Sequence, residues 1–178
     1  VRFVRHATTP GMRAARFPAD EDADPAGLAK AAALGFAAAC PVWTAPGRAA
    51  RQTAQAMGLP AREAAALREA DVGRWRGLAY DQVAPEALAS WLTDPDAAPH
   101  GGESLTAHAG RVATWLDSIR DEPDQIAICD AGTIRAALGH ALGTGPLGTA
   151  RFDLAPLSVT GLTVTRSGWR IAYVNRRL

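Results

Sequence analysis

Lysine is almost missing from this chain. Lys30 is the only one, so nearly all of the 19 basic residues are arginine. The alanine richness points the same way, to composition set by the genome. Charge of one sign is also absent: 19 basic residues face 18 acidic ones, for a net charge of +1, and no run of either sign is long. That excludes the basic face of a nucleic-acid binder and the polybasic stripe of a membrane-surface protein. Cysteine is limited to Cys40 and Cys129, each at the edge of an apolar run. With no CxxC spacing there is no support for a structural zinc site or a disulfide framework. Long apolar runs are lacking too, since the longest, around Ala31 to Cys40, is interrupted by Gly35 and is too short to span a bilayer. Internal repeats and low-complexity linkers are absent. The chain opens on a core strand, and the expectation is a soluble cytoplasmic protein without a signal peptide.

What is present suits one domain over residues 1–178, because 178 residues with 48% hydrophobic content can bury a core. The most informative stretch is Val1 to Thr9, VRFVRHATT. Val1, Phe3 and Val4 suit a buried strand, and Arg5-His6 then falls where the strand opens into a loop. Ligands of open α/β sheets bind at such carboxyl ends. Arg5 brings a permanent, forked cation and His6 a nitrogen that acts as nucleophile, base or ligand near neutral pH.

Along the chain, Pro10 to Asp24 reads as a polar loop over this site, with Arg13, Arg16 and four acidic residues. Asp24 and Pro25 fit the cap and first turn of an alanine-rich helix reaching Ala39. A short strand Val42–Thr44 precedes a helix to about Met57, and a brief extended piece falls within 59–67. Asp71 to Leu78 is a glycine-punctuated loop with Trp75 as a packing anchor. Helical pieces are expected around Pro85, and an amphipathic helix over 105–119 from the spacing of Leu105, Val112, Trp115, Leu116 and Ile119. Gln125–Cys129 reads as a strand, Thr133–Leu142 as a helix, and Leu157–Thr165 with Trp169–Val174 as a hairpin. The alternation predicts a three-layer α/β/α sandwich with a mainly parallel sheet.

Six segments carry a resemblance. Arg5-His6-Ala7-Thr8-Thr9 after the first strand is similar to the entry motif of the histidine phosphatase superfamily, the phosphoglycerate-mutase-like proteins. Asp24 to Gly35, DPAGLAKAAALG, is similar to the family's first helix, and Ala45 to Thr53, APGRAARQT, to its Ser-Pro-x-Arg-Arg-Ala-x-Gln-Thr segment. Leu67 to Leu78, LREADVGRWRGL, resembles Leu-x-Glu-x-x-Phe-Gly-x-Trp-Glu-Gly-Leu. His100 to Leu105, HGGESL, and Ile128 to Arg135, ICDAGTIR, resemble Gly-Gly-Glu-Ser-Leu and Val-Ser-His-Gly-Gly-Val-Ile-Arg. The compact length and the APLSVTGL segment look most like the small phosphatases of cobalamin metabolism, including α-ribazole-phosphate phosphatases.

The resemblance implies that His6 attacks phosphorus in line and becomes phosphohistidine. It implies that Arg5 holds non-bridging oxygens and that Glu69 protonates the leaving oxygen, roles these side chains suit. Thr9 either touches phosphate or stabilises the turn. No cofactor is implied, and the expected partner is a small phosphorylated metabolite, with no nucleic acid, no membrane and the oligomeric state left open.

Two positions depart from the pattern. Asp130 stands where the family has its second active-site histidine, and Ala49 where it has a second phosphate-clamping arginine. Arg48 replaces that arginine only if the helix start is shifted. An anion at 130 opposes phosphate by ~4 kcal/mol for unit charges about 4 Å apart at an effective dielectric of ~20. Asp130 is therefore protonated or neutralised when phosphate binds, or it caps the following helix and fills the anion's place itself. Three readings follow: a divergent phosphomonoesterase, a degenerate relative that binds without turnover, and a metal site of His6, Asp130 and Glu69. His100 and His108 are expected at the surface or rim, and His140 late in a helix with no catalytic role.

Overall fold

The computed structural model describes residues 1–36 and 38–177. Its centre is a six-stranded sheet of β1 (Arg2–Arg5), β2 (Val42–Thr44), β3 (Arg62–Glu63), β4 (Ile126–Cys129), β5 (Val159–Thr165) and β6 (Gly168–Arg176), in the order β3-β2-β4-β1-β5-β6. The β-branched and aromatic side chains of β1 and β4 drive this centre. Phe3, Val4, Ile126 and Ile128 are fully buried, and Phe3 meets Trp115 edge-on at 6.2 Å. Truncating Phe3 to alanine would cost roughly 3–5 kcal/mol.

The sheet is mixed, which corrects the expectation of a mainly parallel one. β3-β2, β2-β4 and β4-β1 are parallel, whereas β1-β5 and β5-β6 are antiparallel. The reason lies in where the chain re-enters. Leu157 N donates to Arg5 O (2.9 Å) and Arg5 N to Ser158 O (3.0 Å), so β5 starts at the carboxyl end of β1 and must run backwards along it.

The helices are α1 (Pro10–Arg13), α2 (Pro25–Ala33), α3 (Arg48–Ala56), α4 (Pro85–Thr93), α5 (Leu105–Ser118), α6 (Ala131–Leu142) and α7 (Pro146–Thr149). α2 packs on α3 and α5 on α6, giving the three-layer arrangement. The stripe expected on α5 is buried at Val112 and Leu116. α2 stops at Ala33 rather than Ala39, because Gly35 adopts a left-handed conformation (φ +56°) that ends the helix, and Phe36 turns to lie under the Arg2 guanidinium. Ala37, within the helix expected here, lies outside the described residues. Inside the segment read as a loop, Thr9 and Pro10 start the single turn of α1. Trp75 is buried as an anchor, in a small cluster with Phe17, Val72 and Val83 that roofs one side of the sheet's carboxyl edge. Cys40 and Cys129 are both free thiols. Among the described residues no helix is long and apolar enough to cross a membrane.

Candidate active site

β1 and β4 are parallel neighbours with Arg5 opposite Cys129, so the residues that follow them, His6 and Asp130, emerge side by side. His6 N donates to Cys129 O at 2.9 Å and locks this register. Both side chains line the same cleft.

His6 is buried except for its face on the cleft. Its Nδ1 lies 2.7 Å from Ala7 O. A carbonyl only accepts, so Nδ1 carries the hydrogen and Nε2 keeps its lone pair. Nε2 has no hydrogen-bond partner among the described residues. Burial lowers the imidazole pKa; the Ala7 bond and the Asp130 charge work against that, and Arg5 adds to it. The ring is therefore neutral near pH 7, with its free nitrogen toward the cavity. The loop that carries it is pinned from α3, since Ala7 N donates to Thr53 Oγ1 at 3.0 Å.

Arg5 donates through Nη1 to Leu154 O and points Nη2 at Met12 Sδ (3.9 Å). Burial and the neighbouring Arg135 guanidinium lower its pKa, partly offset by Asp130, Asp153 and Glu69, and its Nε is buried without a partner. Arginine keeps its charge under such shifts. Sequence reasoning gave no role to Arg135, which holds Phe152 O through Nε (3.0 Å) and Nη2 (2.9 Å) and lines the cavity beside Arg5. The signal was available: Gly132, Arg135 and Ala136 recur at helical spacing after Asp130, one face of α6 turned to the cavity.

Glu69 follows a 3-10 turn over Ala65–Leu67. It keeps accessible surface toward the cleft while protein surrounds its carboxyl. That poor hydration, with the charge of Asp130 and those of Glu21 and Asp20, raises its pKa well above the ordinary glutamate range, and Arg5 only partly opposes this. A carboxyl so placed holds its proton closer to neutrality and can donate it. Its loop is buckled by Arg111, which grips Glu103 through Nε (2.8 Å) and Nη2 (2.6 Å) and reaches Ala66 O (2.7 Å) and Arg68 O (2.9 Å).

Asp130 is the N-cap of α6. Oδ2 accepts from Thr133 N at 3.0 Å and Oδ1 from the Thr133 hydroxyl at 2.5 Å. His108 Nε2 lies 3.3 Å from that hydroxyl. His108 and His100 are both buried, which corrects their expected place at the surface. His108 faces inward from α5, and His100 sits against the Trp75 ring (5.0 Å) with its Nδ1 accepting from Gly102 N. His140 is paired with Asp117 at 2.8 Å, away from the cleft.

Thr9 is buried and caps α1, accepting from Met12 N at 3.3 Å. Ala49 packs with Ala7 and Ala23, its short side chain against the cleft floor. Arg48 stands on the cleft wall with its guanidinium paired to Asp22 (2.7 Å) and its backbone N–H donating to Asp20 (2.7 Å). His6, Asp130 and Glu69 do not form a metal site: no group of three or more His, Cys, Asp or Glu among the described residues is placed to hold an ion.

The cleft has two connected lobes that share His6, Glu69 and Asp130. The smaller, about 410 Å³, carries five carboxylates, those of Asp20, Glu21, Glu69, Asp71 and Asp130, against Arg16, Arg48, Arg68 and Arg76. The larger, about 710 Å³, carries Arg5, Arg13, Arg16 and Arg135 against Glu69 and Asp130 alone. His6 thus stands between a lobe of mixed charge and one in which arginine is in excess.

Comparison with known proteins identifies the family and the fold. The family profile described as histidine phosphatase superfamily (branch 1) matches residues 1–177, and the chain belongs to that family. It is 37% identical over 98 residues to glucosyl-3-phosphoglycerate phosphatase of Mycobacterium tuberculosis, a stretch covering 48% of this chain and 44% of that protein. The match thus spans less than half the length of the curated relative. Among solved structures, the native mycobacterial glucosyl-3-phosphoglycerate phosphatase is 26% identical with a TM-score of 0.84, covering 99% of this chain and 98% of that one. A candidate alpha-ribazole-5'-P phosphatase from Escherichia coli is 18% identical with a TM-score of 0.86, covering 99% and 95%, and shares the fold.

Proposed function

We propose that this member of the histidine phosphatase superfamily is a phosphomonoesterase acting on a small phosphorylated metabolite. The observation that carries the reading is the His6 ring, neutral, held at Nδ1 by Ala7 O and open at Nε2 on a cleft that also holds a cation and a raised-pKa carboxyl. In the first step Nε2 attacks phosphorus, the bond to the ester oxygen breaks, and protonated Glu69 gives that oxygen its proton. In the second, Glu69 as carboxylate takes a proton from water, the water oxygen attacks phosphorus, and the P–N bond breaks to release phosphate and neutral His6. Arg5, with Arg135 beside it, balances the charge on the non-bridging oxygens. Support also comes from the relatives whose names are those of phosphatases of small metabolites.

A second reading, ligand binding without turnover, has its own observation. Asp130 puts a carboxylate at the start of α6, and Ala49 offers no guanidinium. One experiment separates the two. Purified protein is assayed on a phosphomonoester panel and quenched for phosphohistidine, beside His6→Ala. Turnover and an acid-labile, alkali-stable phosphoryl label, both lost in His6→Ala, are expected. A wild-type protein that matches His6→Ala in both readouts would overturn the phosphatase reading.

A further inference from the structure

The larger lobe is far roomier than a phosphoryl group requires. At about 710 Å³ it falls within the range of pockets that enclose an organic ligand. Part of its wall is apolar, beginning beside Arg16, whose backbone bridges Ala79. Phe17 meets Tyr80 at a tilt of 57° (4.5 Å) and Trp91 edge-on (5.7 Å), and Trp91 in turn meets Trp75 (6.1 Å). Tyr80, Trp91 and Leu92 present this cluster to the cavity, with Pro146 and Leu147 on the lining as well.

Four large hydrophobic side chains stand out as exposed among the described residues: Tyr80 (45%), Leu92 (56%), Leu142 and Val164. Two of the four line this one lobe. Apolar surface left open inside a concavity, next to reactive groups, is surface that a ligand covers. The alternative location for a substrate's organic part, the smaller lobe, sets five carboxylates against four arginines, three of them already paired with carboxylates, and none of the four exposed hydrophobic side chains lines it.

We infer that the larger lobe is the leaving-group site and that Tyr80, Trp91 and Leu92 select phosphomonoesters with an apolar or aromatic body. The inference rests on His6 as nucleophile, for that fixes where the phosphoryl group sits. With phosphorus between His6 and the arginines, the ester's carbon skeleton extends along the Tyr80 to Leu92 wall. Glu69, on the border of both lobes, is placed to protonate the departing oxygen.

The test compares two esters of similar leaving-group basicity, propyl phosphate and phenylpropyl phosphate, and separately the binding of the matching non-hydrolysable phosphonates by calorimetry. Burial of about three methylene-sized groups at ~4-fold each gives an expected preference of about 60-fold for the phenyl compound, in kcat/KM and in Kd. Tyr80→Ser with Leu92→Ser, both at exposed positions, is expected to cut that preference about 16-fold, by removing two of the wall's contacts at ~4-fold each. A phosphonate preference within about twofold, less than one methylene-sized group, would overturn the inference, as would binding of neither phosphonate or a preference unmoved in the double variant. Tight, selective phosphonate binding without hydrolysis of either ester would instead overturn the phosphatase reading and leave the lobe's selectivity standing.

Discussion

Replacing Asp130 by asparagine removes a charge from the cleft and leaves its shape. The carboxylate accepts from Thr133 N at 3.0 Å and from the Thr133 hydroxyl at 2.5 Å. An amide oxygen still accepts one of these, and asparagine caps a helix as well as aspartate does, so stability should change by no more than about 1 kcal/mol. The electrostatic effect is larger. Asp130 and the Arg5-His6 pair border one cleft, and at about 5 Å with an effective dielectric of about 20, one pair of like unit charges opposes by ~3 kcal/mol, or ~200-fold. Water in an open cleft reduces this, and ~10-fold tighter binding of inorganic phosphate is the expected minimum. The charge of Asp130 also raises the pKa of both His6 and Glu69. Without it both pKa values fall. His6 must be neutral to attack, so the acidic limb of the kcat/KM profile moves to lower pH. Glu69 must be protonated to donate, so the alkaline limb moves to lower pH as well. Titration calorimetry with phosphate, a thermal melt and the pH profile check the three parts. A variant with an unchanged melt but unchanged or weaker phosphate affinity, or with stationary limbs, would refute the reasoning.

Other perturbations isolate single parts of the site. Glu69→Gln should lower kcat roughly 100- to 10,000-fold on an alkyl phosphate, abolish the alkaline limb and leave phosphohistidine formation detectable with an activated aryl ester, which needs no proton donor; equal loss on both esters would count against the acid role. Arg111→Met should destabilise the fold by about 2 kcal/mol, because it leaves a nearly buried Glu103 carboxylate with only the longer Arg68 contact (3.4 Å) and releases Ala66 O and Arg68 O. Burial opposes the charge of Glu103, but the hydrogen bonds and charge of Arg111 outweigh it and lower its pKa. The stability that ionised Glu103 gives the wild type is therefore full above the ordinary glutamate pKa of about 4.3 and is lost as pH falls through the lowered value, so the gap to Arg111→Met narrows toward acid pH, which urea melts at several pH values will show.

The parts of the molecule legible in the sequence are those governed by local rules. The apolar run of β1 ending in Arg5-His6, the Asp130 cap of α6 and the amphipathic spacing of α5 each depend on a few neighbouring residues. What escaped depends on chain return and remote packing. The antiparallel entry of β5 is fixed by Leu157 and Ser158 meeting Arg5 across more than 150 residues, which no local pattern encodes. His100 reads as a loop histidine, yet Trp75 from another loop covers it. Arg48 reads as a possible cation for the site, and the partner that takes it, Asp22, sits 26 residues earlier in a stretch with no periodicity. Arg135 had a helical signal, but its place beside Arg5 follows only once β1 and β4 are known to be neighbours.

The two helix starts that face the cleft help to define what this site can bind. A helix N-terminus is a natural seat for an anion. Here Thr133 N of α6 is taken by Asp130, and Arg48 N of α3 by Asp20. The protein's own carboxylates occupy both seats. Arginines on the cleft wall are similarly committed: Arg48 to Asp22, Arg13 to Asp24, Arg68 to Glu103 and Arg76 to Asp71. Among the described residues, Arg5, Arg16 and Arg135 line the larger lobe and make no ion pair with a carboxylate. On the proposed reading, attraction for the phosphoryl group therefore comes from Arg5, Arg16 and Arg135 and is reduced by Asp130. A site so built gains little from the phosphate itself and must draw its binding energy from the non-reacting part of the ester. If the apolar lobe supplies that energy, a small polar phosphate is expected to reach His6 and be held weakly, and a bulky apolar one to be held long enough to be attacked.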